Sequence, residues 1–361
     1  MTGTATDFLV KKGDLQTTRF AETALSPLRP GEARLKVEEF AFTANNITYA
    51  VFGDMMKYWN FYPAPDGWGR IPVWGYATVA ESKADGVTPG ARVFGYLPMS
   101  TSFVIQAGKT GPKSFSDVSP WRAEMSPVYS RYTLTTAEPA YDPAREGQFS
   151  LLSVLFQTGW LIADYLSDKG YAGAKRVAVA SASSKTALCL GHALKQLNQD
   201  VEVIGLTSPG NLAFTHKTGC YDRAVTYADI PSLSNGAPAV FVDMAGDARV
   251  RLAAHKTFGA GLKESVMVGA THWSAAPANT EPLPGPQPQL FFAPSQIEKR
   301  LGEWGPEGYQ RRLGEAWSAF SRASDAWLHI RRSYGRDGLL SVYEQVLNNR
   351  AKPEDGHVVG W

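Results

Sequence analysis

From residue 149 onward the chain alternates between two kinds of segment, and that alternation leaves it few folds. The run FSLLSVLFQTGWLIADYLSDKG, residues 149–170, carries apolar residues at helical spacing and stops at Gly170. Arg176 to Ala180 (RVAVA) then reads as an apolar strand leading into a helix through Leu188 to Leu197. Glu202 to Leu206 (EVIGL) reads as a second strand, with a helix through Leu212 to Thr218 after it. Arg223 to Tyr227, Ala239 to Met244 and Ser265 to Gly269 continue the series. Apolar strands interleaved with helices need a parallel sheet covered on both faces, because each crossover helix packs back onto the sheet. Right-handed crossovers make it a doubly wound α/β domain of the Rossmann type.

The first third has a different texture. Ala33 to Phe42 (ARLKVEEFAF), Ile71 to Ala80 and Arg92 to Tyr96 are short strands between turn signals, which predicts a β-rich, barrel-like domain. A Pro- and Gly-rich stretch, Ala275 to Gln289, reads as a surface loop, and residues 295–348 return to helix. At 361 residues the chain exceeds what one compact core usually holds, so two domains are expected. Its 36 Lys and Arg against 34 Asp and Glu supply no field for gripping a polyanion, so nucleic acid is not an expected partner. The N-terminus lacks an apolar stretch of signal-peptide length, and no segment reads as the roughly 18 uncharged apolar residues a membrane helix needs. The expectation is a cytoplasmic protein with no membrane partner. Cys189 and Cys220 lie outside any C-x-x-C pair, so two buried thiols are expected and no structural zinc.

In a doubly wound sheet the first strand-to-helix turn is where a phosphate meets helix N-terminal N–H groups. Here that turn reads Ser181-Ala182-Ser183-Ser184-Lys185-Thr186. Small residues let the backbone approach a diphosphate, the hydroxyls donate, and Lys185 adds charge. The usual G-x-G-x-x-G is absent, and the same serines would also serve as helix caps. A nucleotide-hydrolysing P-loop is a disfavoured rival, because both its glycines are missing, with Val179 and Ser184 in their places. After the second strand, where a carboxylate would bind a ribose 2′-hydroxyl and repel a 2′-phosphate, the chain has Leu206-Thr207-Ser208-Pro209-Gly210-Asn211 and no acid. That pattern favours NADP(H) over NAD(H), with Lys185 and Lys217 the nearby charges.

The whole pattern resembles the medium-chain dehydrogenase/reductases, the superfamily of alcohol dehydrogenases and quinone oxidoreductases. Pro30-Gly31-Glu32 followed by ARLKVEEFAFTANNITYAVFGD resembles the family's opening strand and its turn into the active site. Ile71-Pro72-Val73-Trp74-Gly75-Tyr76 and Thr88-Pro89-Gly90-Ala91-Arg92-Val93 resemble segments of its GroES-like domain. Gly219-Cys220-Tyr221-Asp222 with Val225, and Val242-Asp243-Met244-Ala245-Gly246, resemble segments of its nucleotide-binding domain. Tyr343 to Leu347 through Gly356-His357-Val358-Val359 resembles its C-terminal return to the catalytic domain. More narrowly, SASSKTA, NNITYA and GCYD resemble a divergent branch known chiefly as a domain of unknown function, of the DUF2855 type. The resemblance implies a GroES-like catalytic domain over residues 1–148, completed by 325–361, and a Rossmann-type NADP-binding domain over 149–324. It implies Ser181, Ser183, Ser184, Lys185, Thr186, Thr207, Ser208, Asn211, Tyr221 and Gly269 as the cofactor-binding set.

Zinc-dependent members of that superfamily use a Cys at the active-site turn and a downstream G-H-E. This chain has Asn45, Asn46 and Thr48 at the first place and Trp74-Gly75-Tyr76 at the second, so zinc-free reduction of an enone, quinone or related carbonyl is the implied chemistry. Hydride transfer needs hydrogen-bond donors where negative charge develops. Asn45, Asn46, Thr48 and Tyr49 are the candidate catalytic residues; the asparagines could equally be turn-formers. Tyr49 could deliver a proton if its surroundings lower a pKa that is ordinarily near about 10. Tyr58, Trp59 and Phe61, with His272 and Trp273 after the strand ending at Gly269, are the candidate substrate pocket, suited to a flat or apolar small molecule. Packing of the aromatic loop on its own domain is the plainer alternative. A homodimer is the assembly to test. A non-catalytic NADP(H) sensor on the same fold is the rival function; it would fill the space beside Asn45 to Tyr49 with Trp59 or Phe61.

Overall fold

The computed structural model describes residues 3–137, 141–197, 200–244, 246–268 and 283–361. The chain divides into two compact units, Met1–Leu151 with Ile330–Trp361, and Leu152–His329. The first unit opens with a hairpin, β1 (Thr4–Lys11) and β2 (Asp14–Ala24), whose turn uses Gly13 at φ +80°. There follow β3 (Glu32–Phe42), α1 (Ala44–Val51), β4 (Trp68–Gly69), β5 (Pro72–Ser82), β6 (Arg92–Pro98), β7 (Ser102–Gly108), β8 (Ser114–Asp117) and β9 (Arg131–Leu134). Because β3 pairs with both β5 and β7, the order β3-β5-β6-β9-β8-β7 closes on itself as a barrel. Closure leaves no unpaired edge among these strands.

Period-two alternation decides what each face carries. Val73, Ala77 and Val79 of β5 and Val93 and Leu97 of β6 fill the interior. Trp74 and Tyr76 of β5 pair across to Tyr96 and Phe94 of β6 on the opposite, outward face. The first unit therefore presents an aromatic outer wall, and α1 follows directly from β3 beside it.

The second unit takes over within α2 (Glu146–Asp168). Its strands are β10 (Arg176–Ala180), β11 (Glu202–Thr207), β12 (Arg223–Thr226), β13 (Ala239–Asp243), β14 (Leu262–Met267) and β15 (Gln289–Leu290). All run parallel in the order β12-β11-β10-β13-β14-β15, with α3 (Lys185–Gln196), α4 (Leu212–Lys217) and α5 (Ala248–Phe258) as crossovers. The order reverses between β10 and β13, which is the switch point where such sheets bind ligands outside their carboxyl ends. A GroES-like barrel and a Rossmann-type sheet are thus both present. After α6 (Ala293–Ser324) the chain re-enters the first unit through β16 (His329–Tyr334), α7 (Gly335–Leu347) and β17 (Asp355–Gly360), which pairs with β3.

Two sequence expectations are corrected. Residues 295–348 are not continuous helix: HIRRSY forms β16, an edge strand whose basic residues mask a strand signal and keep the edge in water. One helical stretch, Pro143–Asp168, is long and apolar enough to cross a membrane by length and composition, with a mean hydropathy of 1.3 and 56% of that window buried. Its Leu152, Phe156, Leu161, Ile162 and Leu166 are core residues of the fold, which is why it is apolar on more than one face. Cys189 and Cys220 are free and buried; burial pushes the Cys220 thiol up to about 11, so neither is a ready nucleophile.

Candidate functional site

The turn between β10 and α3 is tight although it lacks glycine. Ser181 takes the left-handed conformation at φ +54°, and the Ser184 N–H closes the turn onto the Ser181 carbonyl at 2.8 Å. Ser184 caps α3, its hydroxyl accepting from the Ala187 N–H at 3.4 Å. The α3 N–H groups nearest the turn face the carboxyl end of the sheet, with Lys185 and Thr186 half-buried in the first helical turn.

Ser183 ties this turn to the next one. Its Oγ accepts from the Asn211 side-chain amide at 3.0 Å and from the Thr207 hydroxyl at 3.4 Å. With both lone pairs engaged, the Ser183 proton is left to point elsewhere. Ser208 starts the short turn after β11 without spending its hydroxyl on a cap. Thr207 is buried and gives its hydroxyl to Ser183, so it supports the turn. The same correction applies to Tyr221. Its hydroxyl donates to the Ala182 carbonyl at 2.9 Å and its ring lies where a Cβ on Gly205 or Gly191 would stand, so it props the turn from behind. Tyr227, which sequence reasoning missed, sets its hydroxyl against Ser181; burial raises its pKa.

In the first unit the NNITYA segment is α1. Asn46 is buried and forms a capping box with Thr43: its Oδ1 accepts from the Thr43 N–H at 2.8 Å and its Nδ2 donates to the Pro72 carbonyl at 3.0 Å. Both the oxygen and the nitrogen of that amide bond to the fold, so Asn46 positions the turn. Asn45 and Thr48 are half-buried on the same helix; the Thr48 hydroxyl back-bonds to the Ala44 carbonyl at 3.3 Å.

Tyr49 is 6% exposed. Its ring packs 4.6 Å from Tyr58 and 5.8 Å from Tyr96, and Phe61 and Tyr129 complete the cluster. Burial raises its pKa, Tyr129 adds to the rise, and the side chains of Asn45, Trp74 and Tyr96 oppose it. The condition for Tyr49 as a ready proton donor, surroundings that lower its pKa, is therefore not met. Trp59 is also corrected: it packs into the barrel core, where a Cβ on Gly53 or Gly69 would meet its ring, and is closed to a substrate. Tyr58 remains half-exposed, and Phe61 forms the floor beneath it. Trp74, Tyr96 and Tyr129 belong to this cluster and were missed; for Trp74 and Tyr96 the signal was the outward face of β5 and β6, whereas Tyr129 comes from the helical turn Pro127–Ser130. Gly269, His272 and Trp273 lie outside the described residues. Among the described residues no group of three His, Cys, Asp or Glu side chains could hold a metal ion.

Solved structures share this architecture at low identity. CurA from Vibrio vulnificus matches at 13% identity with a TM-score of 0.63, covering 99% of this chain and 98% of that one, and it is also known in complex with NADPH. A candidate NADPH:quinone reductase from Mesorhizobium loti matches at 12% identity and a TM-score of 0.66, covering 99% and 98%. The mitochondrial 2-enoyl thioester reductase Etr1p/Etr2p heterodimer from Candida tropicalis matches at 12% identity and a TM-score of 0.58, covering 99% and 100%. At these identities the likeness is one of fold. No curated protein sequence matches the chain. Residues 40–352 match the family described as a protein of unknown function, DUF2855, and the chain is a member of that family.

Proposed function

We propose that this chain is an NADP(H)-dependent oxidoreductase that reduces an activated C=C or C=O, such as an enone or quinone, by hydride transfer. The observation that carries the reading is the β10–α3 turn. It has a helix N-terminus, a left-handed Ser181, and a Ser183 hydroxyl braced by Thr207 and Asn211 whose proton has no acceptor among the described residues. The residues suit a dinucleotide. Ser181, Ser183, Ser184, Lys185 and Thr186 would hold the diphosphate, and Ser208 and Asn211, at an acid-free strand end, would receive the 2′-phosphate. When bound, NADPH would supply the hydride. The fold neighbours support this cofactor class, since CurA is known with NADPH and Etr1p with NADP and crotonyl-CoA.

The first unit's part is the substrate. Its aromatic wall of Tyr58, Trp74, Tyr96 and Tyr129 suits a flat, apolar small molecule. A second reading, a non-catalytic NADP(H) sensor, is favoured by one observation: Tyr49 is already buried beneath Tyr58. Fluorescence titration with NADPH and NADH, followed by turnover of enones, quinones and aldehydes, tests both. Preferential NADPH binding with turnover is the expected outcome, and Ser208→Asp should shift preference toward NADH by repelling the 2′-phosphate. Equal affinity for the two dinucleotides would refute the cofactor assignment. Tight NADPH binding with no turnover would favour the sensor.

A further inference from the structure

Two buried donors stand beside Tyr49 without completing a hydrogen bond of ordinary geometry. Among the described residues neither the Trp74 indole N–H nor the Tyr96 hydroxyl has a hydrogen-bond partner, and Tyr96 is 0% exposed. Both interact with the Tyr49 hydroxyl, yet neither completes a hydrogen bond of ordinary geometry with it. Leaving a buried polar atom unpaired is costly, so two donors left so side by side ask for a partner. The three atoms come from different elements: Tyr49 from α1, Trp74 from β5, Tyr96 from β6. Trp74 and Tyr96 are direct cross-strand partners, with rings 4.9 Å apart.

The chemistry of the set is one-sided. An indole N–H only donates. Buried phenols whose ionisation is opposed remain protonated, and burial pushes both Tyr49 and Tyr96 in that direction. The apolar side chains packed around them are Tyr58, Phe61, Tyr62, Phe103, Met125 and Tyr129; the buried charges nearest this cluster, Arg122 over the Phe61 and Tyr62 rings and Asp117, are ion-paired with each other at 2.9 Å. A set of donors of this kind rewards an oxygen that carries or gains negative charge. The aromatic surroundings restrict that oxygen to one attached to an apolar, flat group.

We propose that the Tyr49 and Tyr96 hydroxyls and the Trp74 N–H form an oxyanion site for the carbonyl oxygen of a conjugated substrate, an enone or a quinone. The inference rests on the reductase reading for its reaction, though not for its binding chemistry. A hydride added to the far carbon of the conjugated system brings two electrons. A bound NADPH would supply that hydride; in the substrate the C=C pair would move toward the carbonyl and leave the negative charge on that oxygen until a proton from water quenches it. The donors hold the oxygen through that interval and are catalytic in this sense, whereas Asn46 is a positioning residue.

The test uses the intact protein without dinucleotide and two probes, 4-nitrophenol and nitrobenzene, followed by absorbance and by quenching of tryptophan fluorescence. The protein should bind 4-nitrophenol as its phenolate, lowering the probe's apparent pKa, and bind nitrobenzene more weakly. Tyr96→Phe and Trp74→Phe should each weaken phenolate binding about ten- to a hundredfold, as expected for a hydrogen bond to a charged group, and change nitrobenzene affinity by no more than about threefold. Equal wild-type affinity for the two probes would overturn the proposal. So would a loss in Tyr96→Phe that falls on both probes alike, because that is the mark of a packing role. Phenolate capture by a protein that does not bind NADPH would sink the reductase reading and leave the oxyanion site standing. Turnover with NADPH by a protein indifferent to 4-nitrophenol would do the reverse.

Discussion

Replacing Ser183 with alanine tests the best-defined polar junction in the second unit. The substitution removes one acceptor and strands two donors, the Asn211 amide at 3.0 Å and the Thr207 hydroxyl at 3.4 Å. Asn211 is half-buried and can turn to water, so its loss is small. Thr207 is 1% exposed and cannot, but its bond is long, which puts its cost near the lower end of the range for a buried unsatisfied donor. The sum is about 1–2 kcal/mol of apo stability. Urea unfolding with an unchanged m-value would measure it. Thr207→Val and the double variant close a cycle; the pair should couple by about 0.5–1 kcal/mol. NADPH affinity provides a second, separate reading. If the unspent Ser183 proton is donated to a bound phosphate, affinity should fall about tenfold or more beyond any loss in Thr207→Val. An apo stability within about 0.3 kcal/mol of wild type, with no coupling in the cycle, would show that Ser183 does not join the two turns.

Lys185→Ala should weaken NADPH binding roughly ten- to a hundredfold, less at high salt, where screening already weakens the wild-type contact; wild-type affinity at low salt would remove Lys185 from the phosphate site. Acid sensitivity of the second unit should trace to His255, whose Nδ1 lies 2.8 Å from the Pro284 carbonyl and whose Nε2 lies 2.9 Å from the Ser265 hydroxyl. A carbonyl only accepts, so Nδ1 carries the proton and Nε2 accepts from Ser265. Burial lowers the His255 pKa, Arg251 adds to that, and Pro284 and Asp243 oppose it. The unfolded chain therefore binds this proton first. Stability is full above about pH 6.5 and falls as pH drops below it toward the lower folded value. His255→Gln should flatten that slope in urea titrations between about pH 7 and pH 5, and an unchanged slope would clear His255 of the role.

The doubly wound sheet was legible because a parallel sheet must be apolar on both faces, and RVAVA, EVIGL and AVFVD carry that requirement in their composition. The turn after RVAVA was legible for the same reason: strand and helix texture meet there whatever residues fill the gap. How it manages without glycine was not, because the left-handed Ser181 depends on closing bonds from Ser184 and on Tyr221 behind Ala182. HIRRSY was unreadable as a strand, since its stability comes from pairing at the end of a sheet and not from its own apolar residues. Asn46 shows the limit most plainly. An amide at an active-site turn looks the same in sequence whether it faces a ligand or, as here, caps a helix and reaches the Pro72 carbonyl.

Tyr49 carries the same lesson into chemistry. Sequence supplies a phenol, and a phenol near a reacting carbonyl can either surrender a proton or merely hold an oxygen. What decides is desolvation, and desolvation is a property of Tyr58, Tyr96, Phe61 and Tyr129 closing around it from three separate segments. A phenol whose ionised form is penalised transfers its proton reluctantly, yet it still makes a hydrogen bond that strengthens as its partner gains charge. Burial thus disfavours Tyr49 as an acid, and under the oxyanion proposal it serves as a donor beside Tyr96, whose ionisation burial also opposes. If reduction occurs here, the proton that completes it at carbon must come from elsewhere. Tyr49→Phe should then depress turnover without displacing the pH profile, whereas a profile that shifts with the substitution would restore Tyr49 as the acid.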